Sequence, residues 1–167
     1  MPKIEFGQMM DRADRPTITE VTARVQGVMD GLIKDAGFYL VLTGSRRFGH
    51  PNANSDWDYF CDERTGHKIF ALTRWLPTGE QQLFRQTGPG GAYRDSNCLF
   101  VLRHYELPID IQVQKDLAVK EMASDRMVKL MPFIIEGLGG FYPSKKQWPS
   151  LWETQYTLAR LKLAERQ

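Results

Sequence analysis

The feature that most constrains the fold is a pair of apolar segments joined through a Gly-Ser turn. Residues 38–42 form an apolar run that leads into Gly44-Ser45, and a second largely apolar segment follows from Asp56 to Cys61. Strand side chains alternate between two faces with a repeat of about 6.6 Å, so Asp56 and Asp58 are expected on one face. The pattern predicts two strands, the second bearing paired carboxylates at its start.

Such paired carboxylates imply a counter-ion. Two unit charges about 4 Å apart repel by about 4 kcal/mol at an effective dielectric near 20. A fold keeps the pair when a cation neutralises it, and oxygen ligands suit Mg²⁺ or Mn²⁺. A Gly-Ser turn beside a divalent-metal site indicates a phosphorylated ligand. Taken singly, each part has a plainer explanation, because Gly-Ser is usually only a turn and Asp-x-Asp is usually a solvated edge or a cap.

A third carboxylate lies on a later strand. The segment from Leu107 to Gln114 alternates strictly, with Ile109, Ile111 and Val113 on one face and Asp110 on the polar face. Residues 98–104 and 107–114 are expected to pair as an antiparallel hairpin. Alone, Asp110 would be interpreted as a surface carboxylate.

The remaining segments predict helices around a small sheet. Apolar residues at three- and four-residue steps predict a helix from Pro16 to Gly37. A second helix is expected to begin at Thr65 or Gly66 and to end at residues 77–79, followed by an edge strand at 82–86 and a glycine-rich loop at 87–92. Asp116 is expected to cap a third helix, and Pro132 to interrupt it. A last helix is expected to begin at Pro149.

Composition places these elements in one soluble domain. The chain has 167 residues and a net charge of only +2, from 22 basic and 20 acidic residues, so any anion binding must be local. Cys61 and Cys98 lack zinc-binding spacing, which favours a reducing, cytoplasmic setting. No apolar run approaches the roughly 20 residues of a membrane span, so no membrane partner is expected.

The three motifs together, in order and in spacing, resemble the DNA polymerase β-like nucleotidyltransferase superfamily. Small prokaryotic members read Gly-Ser-Arg-x-x-Gly, five residues, then Ser-Asp-x-Asp. This chain reads Gly-Ser-Arg-Arg-Phe-Gly at 44–49, five residues, then Ser-Asp-Trp-Asp at 55–58, and the third acidic position falls on Asp110. The resemblance implies an α+β fold with a mixed, mostly antiparallel sheet of about four to five strands packed against helices. It implies a single domain over 1–167, with a catalytic core at about 17–130 and a helical C-terminal extension at about 132–167.

The resemblance also implies a reaction. Asp56, Asp58 and Asp110 would hold two divalent ions, Mg²⁺ or Mn²⁺, with Asp110 as the candidate general base. The ligands of the nucleoside triphosphate (NTP) would be drawn from the Gly-Ser turn, namely Gly44, Ser45, Arg46 and Arg47. The expected product is a nucleotidylated hydroxyl on a small molecule, protein or RNA, with pyrophosphate released.

Two other functions are compatible with the same motifs. The chain could resemble antitoxin-like members of the superfamily, which bind a toxin-like protein partner, or it could be a degenerate nucleotide sensor. The intact set of three aspartates favours catalysis, because a pure binding protein has no reason to keep clustered carboxylates that repel one another.

Overall fold

The computed structural model describes residues 17–74, 83–88 and 95–166, which form helices on both sides of a mixed sheet. The helices are α1 (Ile18–Asp30), which continues into a π-helical turn (Gly31–Asp35), α2 (Gly44–Phe48), α3 (Glu63–Arg74), α4 (Leu117–Gly137) and α5 (Trp148–Ala164). The strands are β1 (Val41–Thr43), β2 (Trp57–Asp62), β3 (Phe84–Thr87), β4 (Cys98–His104) and β5 (Ile109–Gln114). The predicted α+β class is confirmed.

The sheet has five strands in the order β1-β2-β5-β4-β3. Among the described strands, only β2 and β5 run parallel, and the other neighbouring pairs are antiparallel. The mixed, mostly antiparallel sheet predicted from the sequence is therefore confirmed. The parallel pair lies at the centre of the sheet, and it aligns Asp58 directly with Asp110.

One face of the sheet is apolar and is covered by α1 and α3. Val25 and Met29 of α1 and Ile69 of α3 pack against the odd-numbered residues of β5 in the main hydrophobic core. A capping box at Thr17 and Glu20 fixes the start of α1. This side gives the sheet a rigid base and leaves the polar residues of β2 and β5 to the opposite face.

The opposite face carries the polar residues of β2 and β5 and is flanked by α4 and α5. Met127 and Met131 of α4 pack against Phe48 and Trp148, and a second small cluster joins α4 to α5 around Tyr156. The predicted cap is observed, since the Asp116 carboxylate accepts a hydrogen bond from the Val119 backbone at 3.1 Å.

Pro132 does not interrupt α4, so this sequence-based prediction is wrong. The helix runs from Leu117 to Gly137 with Pro132 inside it. Proline removes one backbone hydrogen bond, but Pro132 lies on the exposed side, while the buried Met127 and Met131 hold the helix in place by packing. The proposed boundary between a core ending near 130 and an extension starting at 132 therefore falls within one continuous helix. Gly139 and Gly140, both with positive φ, follow the end of α4.

Two other boundaries differ from the prediction. The first strand occupies only Val41–Thr43. The chain between the π-helical turn after α1 and this strand is irregular up to Leu40. The helix α3 begins at Glu63, since the Asp62 carboxylate accepts the Thr65 backbone N–H at 2.7 Å and so caps it two residues earlier than expected. The edge strand is observed at Phe84–Thr87. The predicted end of α3 at 77–79 and most of the 87–92 loop lie outside the described residues.

Within the described part of the chain, no helix has the length and apolar character needed to cross a membrane.

Candidate active site

Gly44 brings the backbone of the first turn of α2 directly against Asp58. Its φ is +69°, a conformation that favours glycine, and a Cβ at this position would collide with the Asp58 carboxylate. No other residue type would leave room for that carboxylate. The short helix α2 then places Ser45 beside the same space, and it is followed by Gly49, which also has a positive φ of 85°.

The parallel pairing of β2 with β5 brings the acidic residues together. Asp58 and Asp110 are register partners on adjacent strands, and Asp56 lies just before β2. All three side chains line one cavity of about 320 Å³, together with Gly44 and Ser45. Five of the seven residues that the sequence singled out thus share one cavity.

Ionisation of the carboxylates in this cluster is unfavourable. Burial raises the pKa of Asp58 from 3.8 to about 7, and the neighbouring charges of Asp110 and Asp56 add to the rise. Burial also raises the pKa of Asp110, while the guanidinium of Arg103, 3.6 Å from the Asp110 carboxylate, partly opposes that rise. The cluster thus lacks enough positive charge of its own, which is the condition under which a carboxylate site binds a cation.

The chemistry of the donor set fits a divalent cation, although the carboxylates are not gathered as a ready coordination shell. Among the described residues, no group of three or more acidic, histidine or cysteine side chains is held at metal-binding distances. Thr43 also lines the cavity, and its buried hydroxyl has no hydrogen-bond partner within the described chain.

The two arginines of the motif point elsewhere. The guanidinium of Arg46 lies 3.3 Å from the centroid of the Trp57 ring and donates to the Ser55 carbonyl at 2.9 Å. Arg47 pairs with Asp125 of α4 at 3.1 Å. Neither lines the cavity, and Trp57 projects from the face of β2 opposite to Asp58. Arg46 therefore stabilises the backbone on either side of Asp56 through these two contacts.

A buried lysine, which the sequence analysis did not select, stands behind the site. Lys120 of α4 is only 1% exposed, and its ammonium donates to the Tyr156 hydroxyl at 2.9 Å and lies 3.6 Å from Asp95. The Tyr156 hydroxyl donates to the same Asp95 oxygen at 2.7 Å, and Asp95 lines the cavity. Burial lowers the pKa of Lys120, while Asp95 and Asp58 oppose that change. The sequence signal that could have identified Lys120 as buried is its helical spacing from Ser124 and Met127, which are buried on the same helix.

Aromatic side chains also line the cavity, and we call them the aromatic wall. They are Phe48 of α2, Tyr142 of the chain before α5, and Trp148 and Trp152 of α5. They pack on one another with ring centroids 5.4–6.3 Å apart. Lys145, which lies between Tyr142 and Trp148 in sequence, also lines the cavity.

The comparisons add no family assignment to this geometry. No protein-family model matches the chain. A search of curated proteins likewise returns no significant match. The case for a function therefore depends on the motifs and on the arrangement of the residues that they place.

Proposed function

We propose that the protein is a nucleotidyltransferase that moves a nucleoside monophosphate from an NTP to a hydroxyl group of an acceptor. One observation carries the proposal: Asp56, Asp58 and Asp110, which are remote along the chain, line one cavity beside Gly44 and Ser45. Each motif alone has a structural explanation, but a turn, a loop and a distant strand have no structural need to converge on one charged cavity.

The chain's own residues suit the parts of this reaction. The Ser45 hydroxyl and the Lys145 ammonium line the cavity, where they would hold the β- and γ-phosphates. The Asp110 carboxylate would accept the proton of the acceptor hydroxyl, and its raised pKa makes it a stronger base than an ordinary aspartate. The acceptor oxygen then bonds to the α-phosphorus, the bond from that phosphorus to the bridging oxygen breaks, and pyrophosphate leaves.

A divalent cation, Mg²⁺ or Mn²⁺, would be held by Asp56, Asp58 and Asp110. When bound, it would supply positive charge to the phosphates and to the crowded carboxylates. Two observations support binding of a cation in this cavity. The Thr43 hydroxyl has no hydrogen-bond partner among the described residues, and the pKa of Asp58 is raised. Cys61 and Cys98 are buried and form no disulfide within the described chain, which supports a reducing, cytoplasmic setting.

The alternative is a protein that binds a nucleotide or a toxin-like partner without turnover. The structure offers no separate observation in its favour. The cost of burying Asp58 next to Asp110 argues against it, because binding alone does not require that cost. Release of pyrophosphate separates the two possibilities.

The test is transfer of label from each α-labelled NTP, incubated with pure protein, Mg²⁺ and cell extract. We expect labelled acceptor and pyrophosphate with one or more of the four nucleotides. Asp56→Ala and Asp58→Ala should abolish labelling, whereas Asp35→Asn, an exposed carboxylate outside the cavity, should leave it unchanged. Labelling by either alanine variant at the wild-type rate would refute the assignment.

A further inference from the structure

The cavity is lined by two chemically different sets of side chains. The acidic residues and Ser45 form one set, and the aromatic wall forms the other. Phe48 and Trp148 are buried, whereas Tyr142 and Trp152 keep part of their surface exposed. The exposed parts of Tyr142 and Trp152 therefore offer ring surface to whatever enters the cavity.

The Lys120 ammonium next to Trp152 affects which ligand rings can stack on the Trp152 side chain. The Lys120 ammonium lies 3.7 Å from the Trp152 ring centroid, and it meets the ring from the protein interior because Lys120 is buried and does not line the cavity. A cation on one side of an aromatic ring draws on the negative potential of its π-system and disfavours a second cation on the other side. A neutral planar ring is therefore favoured over a cationic one on the Trp152 ring.

We propose that the aromatic wall is the nucleobase site, in which the base of the bound NTP stacks on Trp152 and Tyr142 while its phosphates lie beside Ser45. This inference rests on the proposed function and adds to it the position of the base. Stacking on aromatic side chains tolerates different bases, because every base has a π-face. The site should thus contribute affinity for all four nucleotides.

The first measurement uses the wild-type protein alone and compares two ligands in Mg²⁺ buffer. Inorganic tripolyphosphate carries the phosphate chain without a base. If the base stacks on the wall, an NTP binds about 5- to 150-fold more tightly than tripolyphosphate. Equal dissociation constants would overturn the inference while leaving the nucleotidyltransferase proposal intact, because any ring on the wall would then belong to the acceptor. Failure of both ligands to bind would refute the proposed function itself.

The second measurement uses variants with a matched control. Tyr142→Leu and Trp152→Leu should weaken NTP binding about 5-fold or more and leave tripolyphosphate binding unchanged. Phe141→Leu is the control, since Phe141 precedes Tyr142, is 75% exposed and does not line the cavity. Trp152→Phe keeps a ring over Lys120 and should recover most of the loss. An equal loss of affinity for both ligands in the leucine variants, or an equal loss in the Phe141 control, would overturn the inference.

Discussion

Replacing Asp58 by asparagine should stabilise the metal-free protein at neutral pH, although the residue is central to the proposed site. Burial and the neighbouring Asp110 and Asp56 raise the pKa of Asp58 from 3.8 to about 7. The folded protein therefore binds this proton more tightly than the unfolded chain does. Stability falls as the pH rises from about 4 to 7, and the full penalty applies above pH 7.

The size of the effect follows from the same pKa values. One pKa unit corresponds to about 1.4 kcal/mol, so the rise from 3.8 to about 7 makes ionised Asp58 cost at most about 4 kcal/mol. Hydration of the open cavity reduces that ceiling, and we expect about 2–4 kcal/mol. Asparagine removes the charge, and its amide can donate to the neighbouring carboxylates.

The assay is urea unfolding in the presence of a chelator at pH 5 and at pH 8. At pH 8, Asp58→Asn should be the more stable protein, and the difference should shrink towards pH 5. Adding Mg²⁺ at pH 8 should raise the stability of the wild type and not that of the variant. Asp62→Asn is a control of opposite sign, because hydrogen bonds from Thr65 lower the pKa of Asp62, so its carboxylate stabilises the fold at pH 8. A wild type at least as stable as Asp58→Asn at pH 8 would refute the reasoning.

Further predictions concern packing and the buried lysine, each measured by urea unfolding. Gly66→Ala should cost about 1–3 kcal/mol because a Cβ there would overlap the methyl groups of Val113, whereas Gly27→Ala, which meets open space in α1, should gain about 0.5–1 kcal/mol. A gain at Gly66 similar to that at Gly27 would show that the overlap with Val113 costs nothing and would contradict this prediction. Lys120→Met should cost about 3–5 kcal/mol by leaving the Asp95 carboxylate without its cation, and adding Asp95→Asn should restore part of the loss. Strictly additive losses would contradict the pairing.

Local patterns predicted several elements because their causes are local. The alternation in β5 placed Asp110 on the polar face opposite to Ile109 and Ile111, and the structure confirms this. Asp116 caps α4 as its position suggested. A period of two, a capping side chain and a glycine stop depend only on neighbouring residues, so they can be deduced without knowledge of the fold.

Predictions that depended on distant partners were incomplete. Pro132 was expected to break α4, but packing of Met127 and Met131 keeps the helix continuous. The resemblance assigns Arg46 to the phosphates, whereas in the structure its guanidinium lies on the Trp57 ring and donates to the Ser55 carbonyl. A side chain has several low-energy rotamers, and only the tertiary surroundings select one of them.

The sequence by itself determined which chemical groups are present and which strand faces carry them, because alternation and turn chemistry act over a few residues. Only the tertiary structure decided that β2 pairs with β5 in the register that aligns Asp58 with Asp110. It also decided that Lys120 is buried behind Trp152, and that the aromatic wall and the acidic residues line one cavity. These are contacts between segments far apart in the chain, and their geometry is set by packing of the whole domain, which no local pattern encodes.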